Sequence, residues 1–218
     1  MKFALIGKYL VDFIFPKEEH VTLLESLSPQ DLLELLRPAQ NNTSAGIVSL
    51  FDYKDANVKN LVWEIKYKGN NLLAEKISGY MLDVIESEIL EVRLSKRFEN
   101  PLLLPIPISN KRRKERGWNQ AETLASNVKK RDTRNIFEYN PNILVKLVHT
   151  ESQTKTHQRE ERIENIKNSM GVSNPKLTNG RSVLLIDDVV TTGATFMEAK
   201  RALEKAGARH VICVALAH

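Results

Sequence analysis

Val183-Leu184-Leu185-Ile186-Asp187-Asp188-Val189-Val190-Thr191-Thr192-Gly193-Ala194-Thr195 is the stretch on which the fold turns. Its first four residues are aliphatic without alternation, the signature of a strand buried on both faces. Two carboxylates follow, then a Thr/Gly turn, then a helical pattern from Phe196 to Ala206 that stops at Gly207. Adjacent carboxylates at a strand end can accept hydrogen bonds from vicinal hydroxyls such as those of ribose. The threonine hydroxyls and the backbone N–H groups at the helix start form a nest for a phosphate dianion, and Gly193 lets the backbone come close. Acids for a sugar beside neutral donors for its 5-phosphate are what a ribose phosphate needs. Asp-Asp after an aliphatic strand also occurs in metal-dependent phosphatases and receiver domains. Those place the acids early in the fold and need a later lysine, so the Thr/Gly turn favours ribose phosphate.

Outward from this stretch, the C-terminal half alternates strand and helix. Leu102 to Ile108 is extended, since Pro105 and Pro107 forbid a helix. A helix is expected from Asn119 to about Lys130, with strands at Ile143–Val148, at Met170–Val172 and at His210–Ala215. Such alternation predicts an α/β protein with a mostly parallel sheet flanked by helices, whose ligands bind beyond the carboxyl ends of the strands. The N-terminal half reads as mainly helical. Phe3–Phe15 suggests a packing helix ended by Pro16, and Leu23–Leu36 a short helix or pair broken at Ser28-Pro29. Ile47–Phe51 is a short strand, and further helices run near Val58–Ile65 and from Leu72 to Ile89.

Composition narrows the function classes. The 218 residues carry a formal charge of +5, which favours anionic partners, whether polyphosphate or nucleic acid. Cys213 is the sole cysteine, so an intramolecular disulfide and a thiolate zinc site are both excluded. No stretch is long and apolar enough to span a bilayer, and a reducing, cytoplasmic setting is expected. The basic run Lys111–Arg116 reads equally as a solvated loop or as an anion contact. Trp118 reads as a packing anchor, and few aromatics stand out as free to stack on bases.

The Val183–Thr195 stretch resembles the phosphoribosyl-pyrophosphate-binding motif of type I phosphoribosyltransferases. Other segments are similar to the ComF (competence protein F, or GntX-like) branch of that fold. They are Ile65-Lys66-Tyr67-Lys68-Gly69, Pro105-Ile106-Pro107, Arg116-Gly117-Trp118-Asn119-Gln120, and Gln153-Thr154 with Arg159, Arg162 and Asn165. The resemblance runs from about Leu50 to the C-terminus, and weakly through Tyr9–Pro16.

It implies a type I phosphoribosyltransferase fold over residues 51–218, with residues 1–50 as a helical appendage. Asp187 and Asp188 would hold the ribose hydroxyls, directly or through a water on substrate-bound Mg²⁺. Thr191, Thr192, Gly193, Ala194 and Thr195 would hold the 5-phosphate. Arg112, Arg113, Arg116 and Gly117 match the pyrophosphate loop, and Gln153, Arg159 and Arg162 the mobile loop. The implied function is binding of phosphoribosyl pyrophosphate and phosphoribosyl transfer to an unidentified acceptor. The alternatives are a nucleotide sensor without turnover, or an accessory protein of DNA uptake that binds single-stranded DNA; an oligomer is compatible with each. Branch members usually carry an N-terminal four-cysteine zinc module. Lys17 to Pro38, at the corresponding place, has no cysteine, so no zinc role carries over.

Overall fold

The computed structural model describes residues 18–40, 46–95, 100–147 and 167–218. In chain order these form α1 (Glu19–Ser26), α2 (Pro29–Leu35), β1 (Ile47–Phe51), α3 (Ala56–Trp63), a π-helical turn (Glu64–Lys68) and α4 (Asn71–Ser95). There follow β2 (Leu102–Pro105), α5 (Asn110–Arg116), α6 (Gln120–Arg131), β3 (Glu138–Tyr139), β4 (Leu144–Lys146) and β5 (Met170–Val172). A 3₁₀ turn (Pro175–Leu177), β6 (Ser182–Val189), α7 (Ala194–Lys205) and β7 (His210–Ala217) complete the order.

Five strands pair in the order β1-β7-β6-β2-β3, and every pairing is parallel. β4 and β5 form a separate antiparallel pair. A parallel sheet must be covered on both faces, and the side chains of β6 show how. Leu184 and Ile186 point into one apolar cluster, with Leu61 and Ile77 from the helices before β2. Val183 and Leu185 point into the other, with Phe196 and Leu203 of α7. The same period-two split divides Leu103 from Leu102 and Leu104, and Val214 from Cys213. β6 is thus central, and Asp187 and Asp188 emerge at its carboxyl end between β7 and β2.

The α/β fold with a mostly parallel sheet is as the sequence predicts. The Leu23–Leu36 region forms a pair of helices, with the Ser28 side chain capping α2 by accepting from Asp31 N–H. Leu24, Leu32 and Leu36 enter the same cluster as Leu184. Two local readings change. Lys111–Arg116 is not a loop but α5, because Ser109 caps its start by accepting from Arg112 N–H and Gly117 ends it in a left-handed conformation. The Leu102–Ile108 strand is shorter, with β2 ending at Pro105, although Ile106 N–H still donates to Ile186 O of β6 at 2.9 Å. The helix expected over Phe3–Phe15, the far end of the Ile143–Val148 strand, and Gln153, Arg159 and Arg162 lie outside the described residues.

Candidate functional site

At the carboxyl edge of β6 and β2 a cavity of about 260 Å³ opens, lined by Asp187, Asp188, Thr191, Thr195, Lys66, Arg112 and Lys146, among others. Three local devices shape it. Val190 donates its N–H to Ala217 O (2.9 Å), which keeps the chain on the sheet as it leaves β6. Gly193, with φ of 75°, then turns the chain into α7, a conformation that L side chains resist. Ala194 N–H meets Thr192 Oγ1 at 3.3 Å, so Thr192 serves the turn while Thr191 and Thr195 line the cavity. The first turn of α7 presents N–H groups and the positive end of the helix dipole.

The segment before α6 builds the opposite wall. Asn119 donates from Nδ2 to Ile106 O (3.0 Å) and accepts from Ala121 N–H (3.1 Å), pinning the Pro-rich segment to the start of α6. Gln120 Nε2 reaches Asp188 Oδ1 at 3.4 Å. Trp118 donates from its indole nitrogen to Ile65 O at 3.3 Å and packs beneath Gly69, so it is an anchor as expected. Through it the π-helical turn is fixed against the site, and Lys66 Nζ stands 2.9 Å from Asp188 Oδ2.

The electrostatics follow from this burial. Asp187 is 8 % exposed and Asp188 3 %. Burial first, and the Asp188 charge second, push the Asp187 carboxyl well above its ordinary range. For Lys66, burial works to lower the pKa, but the Asp188 charge and hydrogen bond, joined by the charges of Asp187 and Tyr67, together outweigh it and hold the ammonium above its usual value. Burial, and then the Arg112 charge, pull Lys146 below its usual value. Lys146 and Arg112 bring positive charge to the cavity with no ion-pair partner among the described residues.

The structure therefore sorts the expected residues. Asp187, Asp188, Thr191, Thr195 and Arg112 share one cavity. Arg113 instead pairs with Glu122. Arg116 lies 4.8 Å over the Tyr67 ring and approaches Gln120 Oε1 at 3.4 Å, and Gly117 closes α5. Lys66, Lys146 and Gln120 are additions that the motif reading did not assign. Lys66 and Gln120 stand inside segments quoted for the resemblance, which was the available signal; Lys146 in a short strand gave none. A larger cavity, about 700 Å³, lies against β5 and α7. Among the described residues it is lined by no carboxylate, and its Arg201 is already neutralised by Glu198 at 2.7 Å, so the smaller cavity is the candidate site.

Residues 114–218 match the phosphoribosyl transferase domain family, and the fold and this match define a phosphoribosyltransferase-type protein. The chain is 31 % identical over 163 residues to competence protein ComFC of Bacillus subtilis (strain 168), covering 73 % of this chain and 58 % of that one. It is 31 % identical over 168 residues to competence protein ComFC of Streptococcus pneumoniae, covering 75 % and 64 %. The chain thus spans about three-fifths of the length of these relatives. It is thus similar to ComF-type competence proteins over most of its length, and its C-terminal part carries a phosphoribosyl transferase domain. Among solved structures it is similar to the allosteric regulatory enzyme of purine biosynthesis, at 17 % identity and a TM-score of 0.36, covering 65 % of this chain and 25 % of that one. That likeness is too distant to add to the fold. No described helix is long and apolar enough to cross a membrane.

Proposed function

We propose that the chain binds phosphoribosyl pyrophosphate and transfers its phosphoribosyl group to an acceptor. One observation carries this reading. Two buried carboxylates, the hydroxyl-bearing start of a helix and three cationic side chains from separate segments all line a single 260 Å³ cavity. Asp187 and Asp188 would accept from the ribose 2′ and 3′ hydroxyls, and a carboxyl held towards its neutral form can also donate. Thr191, Thr195 and the α7 N–H groups would take the 5-phosphate. Arg112 and Lys146, short of counter-charge, would take the pyrophosphate. During transfer the bond from the anomeric carbon to a pyrophosphate oxygen breaks, and pyrophosphate leaves with the electron pair. The acceptor's lone pair forms the new bond to that carbon. These two cations would stabilise the charge that develops on the departing oxygens.

Magnesium fits here as a substrate-borne ion. No described cluster of three or more His, Cys, Asp or Glu side chains could hold a metal, and Mg²⁺ is commonly bound by one or two carboxylates together with substrate phosphates. Asp187 and Asp188 would hold its waters, and the ion would supply further charge neutralisation on the pyrophosphate.

Calorimetric titration with phosphoribosyl pyrophosphate and Mg²⁺ tests the reading. Saturable binding is expected, and Asp187→Asn with Asp188→Asn should abolish it while the circular dichroism stays native. Equal affinity in the double variant would remove the site assignment. Release of pyrophosphate on adding acceptor bases then separates an enzyme from a sensor.

A further inference from the structure

Lys66 carries a charge into the cavity from a turn whose neighbouring side chains face elsewhere. Ile65 is buried in the core, while Tyr67 and, four residues before it, Trp63 emerge to solvent. Lys66 lines the cavity instead, with Nζ standing 2.9 Å from Asp188 Oδ2. Its backbone is held from both sides. Ile65 O accepts from the Trp118 indole at 3.3 Å, and Glu64 O accepts from Asn70 N–H at 3.1 Å. The Asn70 amide also donates to Glu25 Oε1 at 2.7 Å and to Glu64 Oε2 at 3.3 Å. Turns of the π type are frequent at functional sites, and this one delivers a fixed ammonium.

Stability does not account for the pair. The Asp188 side chain is 4 % exposed and that of Lys66 24 %. At such depth the cost of desolvating two charges offsets most of their attraction. What the ammonium does is cover one oxygen of the carboxylate. Apart from Lys66, Asp188 Oδ2 meets no hydrogen-bond partner among the described residues, whereas Oδ1 is approached by Gln120 Nε2 at 3.4 Å. A small divalent ion takes a carboxylate oxygen at about 2.0–2.1 Å. An ion seated on Oδ2 would therefore face a like charge a few ångströms away. Arg112 and Lys146 line the same cavity and add to that repulsion. A ligand that brings phosphates reverses the balance, because its negative charge offsets those two cations.

We infer that Lys66 is a built-in counter-cation of Asp188, a positioning residue that keeps free divalent metal off the acid pair, so that metal enters only together with an anionic ligand. The identity of that anion rests on the proposed reading of the cavity. The exclusion of free metal stands on the Lys66–Asp188 geometry alone.

Manganese without any other ligand is the probe, with free Mn²⁺ followed by its paramagnetic resonance signal and the melting temperature read alongside. The full chain is compared with Lys66→Met, Lys66→Arg, and the double variant Lys66→Met with Asp188→Asn. The full chain and Lys66→Arg should bind Mn²⁺ weakly. Lys66→Met should bind it at least about tenfold tighter and melt higher in its presence. The double variant lacks the carboxylate as well, so it should fold and lose that gain. If Lys66→Met unfolds without metal, Mn²⁺ should restore its dichroism. Equal Mn²⁺ affinity in the full chain and Lys66→Met overturns the inference. So does an unfolded Lys66→Met that Mn²⁺ fails to restore while the double variant is folded. Ribose 5-phosphate is then titrated into the same proteins, with a chelator and with Mn²⁺. Its binding should survive the chelator in the full chain and need Mn²⁺ in Lys66→Met, and an equal need for Mn²⁺ in both overturns the role of Lys66. Failure of ribose 5-phosphate to bind any of them, with the Mn²⁺ gain intact, removes the cavity reading and keeps that role.

Discussion

Asp187 lies between Ile186 and Asp188 with its carboxyl buried, and Asp188 N–H donates to its Oδ1 at 2.9 Å. Its raised pKa has a consequence for stability. A carboxyl that is harder to ionise in the folded chain than in the unfolded one binds more protons when folded. Its contribution is therefore fully present below the unfolded value of about 4, and is lost as pH rises through the higher folded value. At neutral pH the residue is kept at a cost. Asp187→Asn retains an oxygen for the Asp188 N–H and removes that cost, so it should melt at a higher temperature than the unmodified chain at pH 7. The gain should shrink towards pH 4, and ligand affinity should fall in the same variant. An unchanged or lower melting temperature at pH 7 would show that Asp187 is not strained by its surroundings. The two acids were legible in the sequence because they are adjacent. Lys66 and Lys146 were not, because only folding brings charges from distant segments to one space.

The π-helical turn shows how an element acts through its neighbours. Gly69 ends it with φ of 64°, and a Cβ there would stand 3.1 Å from the Trp118 ring. A non-glycine residue in that conformation costs about 1–2 kcal/mol before any clash. Gly69→Ala should therefore lower the unfolding free energy by at least about that much, measured by denaturant titration. The displaced Trp118 should also shift its emission, and ligand affinity should fall as Lys66 moves from Asp188. Unchanged stability and emission would mean that the turn is not held by this contact. The sequence marks Lys68-Gly69-Asn70 as a helix stop, but no local pattern separates a π turn from an α turn. Likewise the composition of Lys111–Arg116 suggests a solvated loop. Its helical state depends on the Ser109 and Gly117 caps outside the run.

At the scale of the molecule, the N-terminal helices are joined to the sheet by one apolar cluster. Leu32 of α2 is fully buried within it, together with Val58, Ile77, Leu184 and Leu216. Leu32→Ala should cost about 2–5 kcal/mol, as a methyl-lined void opens in a close-packed core. If helices and sheet unfold together, far-ultraviolet dichroism and tryptophan fluorescence will report one shared transition, moved to lower denaturant in the variant. Two separated transitions, with only the first shifted, would make the N-terminal helices an independent unit. The same view explains what could be known beforehand. The period-two and period-3.6 patterns, the unbroken aliphatic run of β6 and the Asp-Asp-to-Thr/Gly order are local, so the sequence by itself determined the α/β class, the buried strand and the Thr/Gly turn that follows it. Which cations enter the cavity, which arginines are spent on Glu122 and Tyr67, and where Trp63 emerges were decided by the tertiary structure alone. Those outcomes depend on strand order and helix packing, which join residues far apart in the chain and leave no periodic trace along it.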